Sequence, residues 1–99
     1  MTKPINHYTE GQSIKLKVTF YLNNVITDPT TITLKIKKPD NSIITYTYAL
    51  AELIKEDTGI YYKNIPVDAE GLWFYQFKGT GAVEALSEWK FYCDKSQFV

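Results

Sequence analysis

Ile14-Lys15-Leu16-Lys17-Val18-Thr19-Phe20 alternates apolar and polar residues without a break, every even position being apolar and every odd one Lys, Lys or Thr. Successive side chains on a strand point to opposite faces, so this rhythm predicts a half-buried β-strand. Thr31-Ile32-Thr33-Leu34-Lys35-Ile36-Lys37 repeats the pattern, and Lys38-Pro39-Asp40-Asn41-Ser42 supplies the turn chemistry that ends it. A hairpin into Ile43–Tyr48 follows, with Ile44, Tyr46 and Tyr48 expected on the inward face.

Outward from these runs, the same reading predicts a short strand near 52–55 and a turn at Asp57-Thr58-Gly59. Next comes a strand over Ile60–Ile65, whose inward face the alternation leaves open because both registers carry a Tyr. Pro66 should end its ladder. Beyond a polar corner at 67–71, Trp73, Tyr75 and Phe77 share a face. A glycine-bearing loop, Lys78-Gly79-Thr80-Gly81-Ala82, then leads into a last strand with Val83, Ala85, Trp89, Phe91 and Cys93 as its apolar side. Twenty-six β-branched residues and fifteen aromatics support strands throughout. About seven strands with turns every 8–12 residues predict an all-β, immunoglobulin-like antiparallel β-sandwich. The expected domain covers residues 10–94, with an N-terminal arm at 1–9 and a C-terminal tail at 95–99.

Composition narrows the function. Ninety-nine residues hold one core, and eleven Lys balance eleven acids. No Arg is present, so the broad basic field and the bidentate forks that favour nucleic acid are missing. No apolar run approaches a membrane span, and the N-terminal residues lack a secretory apolar segment; the expectation is an intracellular product that binds neither nucleic acid nor membrane. One His, His7, and one Cys, Cys93, cannot make a catalytic triad or a zinc set, and the acids match no calcium loop. No cofactor or metal is expected, His7 reads as a solvated arm residue, and Cys93 reads as a buried small hydrophobe. Gly79-Thr80-Gly81 lacks the Lys-Ser/Thr and helix of a phosphate loop. Outward aromatics on a sandwich mark interfaces, which singles out Tyr62, Phe74, Tyr92 and the arm residue Tyr8 as protein-contact candidates, with Tyr21 beside them. Residues 1–38 carry a balance of +4 (six Lys, two acids) and residues 39–99 one of −4 (five Lys, nine acids), a hint of complementary contacts between copies.

The succession Pro39-Asp40-Asn41-Ser42, Asp57-Thr58-Gly59-Ile60-Tyr61, Ala69-Glu70-Gly71-Leu72-Trp73-Phe74-Tyr75 and Gly79-Thr80-Gly81-Ala82-Val83-Glu84-Ala85 resembles the small immunoglobulin-like proteins encoded among the virion structural genes of tailed bacteriophages. The likeness runs over residues 11–93. Phe77 stands where Trp is common in that group, and Lys63 is unusual on its strand. The resemblance implies a non-enzymatic virion protein made in the bacterial host cytoplasm: a capsid decoration, head-fibre or head-tail accessory protein. Its partners would be capsid, neck or tail proteins and copies of itself. A carbohydrate- or cell-surface-binding sandwich module, stacking sugars on exposed rings, is the alternative.

Overall fold

The alternating runs pair into two sheets over one apolar core. The structure, a computed structural model, describes residues 6–98. Ten strands form among them: β1 (Asn6–Thr9), β2 (Ser13–Thr19), β3 (Tyr21–Leu22), β4 (Val25–Ile26), β5 (Thr31–Lys37), β6 (Ile43–Thr47), β7 (Ile54–Asp57), β8 (Ile60–Pro66), β9 (Gly71–Thr80) and β10 (Ala85–Asp94). A five-stranded sheet runs β1-β10-β9-β5-β6 and faces a three-stranded sheet β2-β8-β7; β3 and β4 make a separate hairpin. In this all-β sandwich the first strand joins the last in parallel while the remaining neighbours are antiparallel.

The even faces of β2 and β5 point inward as their rhythm predicts: Ile14, Leu16, Phe20, Ile32, Leu34 and Ile36 are all buried. They meet Tyr61, Ile65, Trp73, Phe77, Phe91 and Cys93 from the other strands. On β8 the inward register is the odd one, Tyr61 and Ile65 being buried. Lys63 lies between them, half-buried, and keeps its ammonium 4.4 Å from the centre of the Tyr46 ring, where the ring face attracts the charge.

Several expectations change. Residues 6–9, expected in an arm, form β1 and pair with Phe91–Asp94; residues 1–5 and 99 lie outside the described residues. Tyr48 leaves the strand for a 3₁₀ turn at Tyr48–Leu50 that closes on left-handed Ala51. There Glu52 Oε1 accepts the Thr47 N–H at 3.0 Å, so the strand begins at Ile54 rather than 52. Lys78, Gly79 and Thr80 belong to β9, not to the loop. Gly79 is buried because a Cβ there would lie 2.8 Å from Phe20 and 2.9 Å from Pro29, so its glycine admits the close approach of another segment instead of making a turn. Trp89, expected inside, is 40% exposed. It has the inward parity of Tyr75 opposite, which is itself only half-buried.

Candidate functional site

The quoted motifs turn out to be corners. At one end of the sandwich, Asp28 accepts the Gly59 N–H at 2.6 Å and the Tyr61 hydroxyl at 2.7 Å on Oδ1, and Lys55 Nζ at 2.9 Å on Oδ2. Gly59 takes φ +69°, and a Cβ on it would come within 2.6 Å of Ile26 Cγ2 and 3.1 Å of the Thr27 backbone. Asp57-Thr58-Gly59-Ile60-Tyr61 is therefore the donor half of a clasp whose acceptor lies thirty residues upstream. At the opposite corner Trp73 Nε1 donates to Ala69 O at 2.9 Å, and Gly71, at φ +130°, lets the chain pass Pro39. This is the place where immunoglobulin domains tie a tyrosine hydroxyl back to the chain; here an indole does so.

The clasp at Asp28 holds up a hairpin. Thr27 N–H donates to Phe20 O at 3.0 Å to close its base, and Tyr21 pairs with Ile26 and Leu22 with Val25. Asn23 and Asn24, at φ +50° and +66°, make the two-residue turn, because asparagine tolerates the left-handed region that this tight connection demands. All four strand residues, Tyr21, Leu22, Val25 and Ile26, are between 41% and 63% exposed, and 20–27 carries no charge. The result is an apolar prong beside the 57–59 turn. Only Tyr21 of these four stood among the outward aromatics read from the sequence; the Asn-Asn pair between two apolar pairs was the available signal for the rest.

The four contact candidates do not converge. Phe74 is exposed on the outer face of the five-stranded sheet, in a shallow groove of about 340 Å³ with Lys37, Ile43, Gln76 and Glu88. Tyr92 shares that face but is half-buried, with the His7 ring 5.5 Å away. Tyr62 faces out from the other sheet and is capped by Lys15, whose Nζ lies 4.2 Å from the ring centre. Tyr8 is half-buried against the edge of Phe91 at 5.4 Å, as part of β1 rather than of an arm. His7 is exposed, with Nδ1 3.3 Å from Asp94 Oδ2. Cys93 is buried, and that burial raises its thiol pKa. Among the described residues, no group of three or more His, Cys, Asp or Glu is placed to hold a metal, and no helix is long and apolar enough to cross a membrane.

Electrostatics mark two tie points. The Tyr61 hydroxyl, then Lys55 and the Gly59 N–H, hold the Asp28 carboxyl down to about 2. On the outer face of the three-stranded sheet, Glu56 takes Lys17 at 2.7 Å and Lys15 at 2.9 Å, which hold it at about 2 as well. Both folded values lie below the ordinary 3.8 and 4.5. The unfolded chain therefore binds more protons as pH falls, so this stabilisation is complete above the unfolded values and is lost as pH drops through the folded ones. Denaturant midpoints should hold steady near neutrality and fall between about pH 5 and pH 2. Asp28→Asn should flatten that fall, and added salt should weaken mainly the solvent-exposed Glu56 part.

No sequence-family model matches this chain, and no curated protein matches it.

Proposed function

We propose that the chain is a non-enzymatic structural protein of a tailed bacteriophage particle that binds other virion proteins through the β3–β4 end of its sandwich. The observation that carries the contact mode is the uncharged prong of Tyr21, Leu22, Val25 and Ile26, since exposed apolar side chains gathered at one place on a small soluble domain mark protein contacts. The virion assignment draws its support from the resemblance of the corner motifs. Placement on the loop between the second strand and its partner across the sandwich adds to the contact reading, because immunoglobulin variable domains bind through the equivalent connection. Weak single contacts suffice where many copies engage a repeating lattice.

Particles purified from the producing cell should contain the wild-type chain by mass spectrometry. The double variant Tyr21→Ser/Val25→Ser should fold normally, both sites being solvent-exposed, yet fall to about a tenth of wild-type incorporation or less, a loss of about 1.4 kcal/mol or more for the two sites together. Absence of the wild-type chain from particles overturns the reading. If that absence came with glycan binding that Phe74→Ala abolished, the saccharide-binding alternative would replace it.

A further inference from the structure

β2 has a neighbour on one side only among the described residues, β8. Its hydrogen-bond phase can be read from the ends of the ladder: Gln12 O accepts the Val67 N–H at 2.8 Å, and Phe20 N–H donates to Gly59 O at 2.8 Å. Even-numbered residues therefore bond to β8. Ser13 stands opposite Pro66, which has no N–H to give, in keeping with that phase. Bonded and non-bonded pairs alternate in an antiparallel ladder, so Ser13, Lys15, Lys17 and Thr19 direct their N–H and C=O groups to the open edge. This is a four-residue row of paired donors and acceptors.

Lysines on an edge strand ordinarily guard it. Here both are drawn back across the sheet to Glu56 on β7, at 2.9 and 2.7 Å, which takes their side chains away from that edge. Two lysines against one glutamate keep the rim at +1. A second copy laid antiparallel along this edge would set the two lysine pairs side by side, and like charges directly opposite one another disfavour that pairing. On the inward side β2 carries the buried Ile14 and Leu16 and the half-buried Val18, so the face that an added strand would continue is apolar.

We infer that the β2 edge is a strand-addition site for another protein, taking an extended segment in which apolar residues alternate with Asp or Glu. Main-chain bonds to residues 13, 15, 17 and 19 hold the segment; its apolar side chains continue the inward face of β2 and its acids lie beside Lys15 and Lys17. The site is on a different surface from the β3–β4 prong and stands independently of it.

Amide hydrogen exchange of the full chain tests this with ten-residue peptides of alternating valine and glutamate, or of alternating valine and lysine. In the free chain the Lys15 and Lys17 amides should exchange fast and those of Leu16 and Val18 slowly. The glutamate peptide should protect Lys15 and Lys17 and bind about ten-fold more tightly than the lysine peptide. Lys15→Gln/Lys17→Gln should erase that preference while Leu16 and Val18 stay protected, which shows that the variant is folded. Equal binding of the two peptides, no new protection at Lys15 and Lys17, or protection there that rises with protein concentration alone would overturn the inference; the last outcome would mean that the edge pairs with its own copy.

Discussion

Trp73→Ala should destabilise the fold by about 3–5 kcal/mol, the range for removing a fully buried large aromatic. The indole has no exposed surface, stacks on Phe91 at 5.5 Å with an interplanar angle of 20°, and lies 5.5 Å from Lys38 Nζ, which itself reaches Asp68 Oδ1 at 3.2 Å. It thus joins β9, β10, the β5–β6 hairpin and the 67–71 corner. For a domain this size each kcal/mol moves the midpoint by roughly 4–8 °C, so the thermal transition should drop by about 15 °C or more. Trp73→Phe separates packing from hydrogen bonding: it keeps an aromatic ring but orphans Ala69 O, and should cost about 1–3 kcal/mol. A loss below about 2 kcal/mol for Trp73→Ala, measured by chemical denaturation, would show that the site collapses around the missing ring and that the corner is held elsewhere.

Asp28→Ala should cost about 2–4 kcal/mol, more than a partly exposed carboxylate commonly contributes, because of what it leaves behind. Gly59 is buried and so is Tyr61, so the Gly59 N–H and the Tyr61 hydroxyl lose their acceptor together. Asp28→Asn retains one carbonyl oxygen for those two donors but turns an amide toward Lys55, and its loss should be roughly half as large. Tyr61→Phe removes one donor and keeps the ring, for about 1 kcal/mol. A double-mutant cycle between Asp28→Ala and Tyr61→Phe should show coupling of about 1 kcal/mol. Additive losses would mean that the hydroxyl finds water when the carboxylate goes. Since Asp28 anchors the base of the β3–β4 prong, Asp28→Ala should also lower particle incorporation while Tyr21 and Val25 are intact.

The alternation in 14–20 and 31–37 sufficed to place two strands and their buried faces, since burying one face of a pleated strand forces a period of two on the residues. The turn residues at 38–42 closed the second run by backbone chemistry alone, whereas Pro66 does not end its ladder: it occupies a non-bonded position opposite Ser13, and the Val67 N–H still donates to Gln12 O. The corner motifs could be seen as punctuation, but not what they grip. Asp28 has no sequence neighbour that marks it, and its donors arrive from β7, the 57–59 turn and β8 only when the chain folds. The prong was half legible: Asn23-Asn24 is a turn signal by itself, whereas the exposure of its four apolar residues depends on nothing packing over them.

Local pattern, then, determined the strand class, most inward faces and the turns, because each of these follows from the geometry of one chain segment and its neighbours in sequence. Folding in three dimensions decided the rest. Trp89 and Phe91 have the same parity on the same strand, yet the first is 40% exposed and the second is buried, a difference set by what packs over each and not by the alternation. Gly79 looked like a turn and is a strand residue because two other segments press against it. Tyr8 and residues 6–9 acquired a place in the sheet through parallel pairing with the far end of the chain. Such outcomes depend on which surfaces meet across long loops, and no stretch of residues records its distant partner.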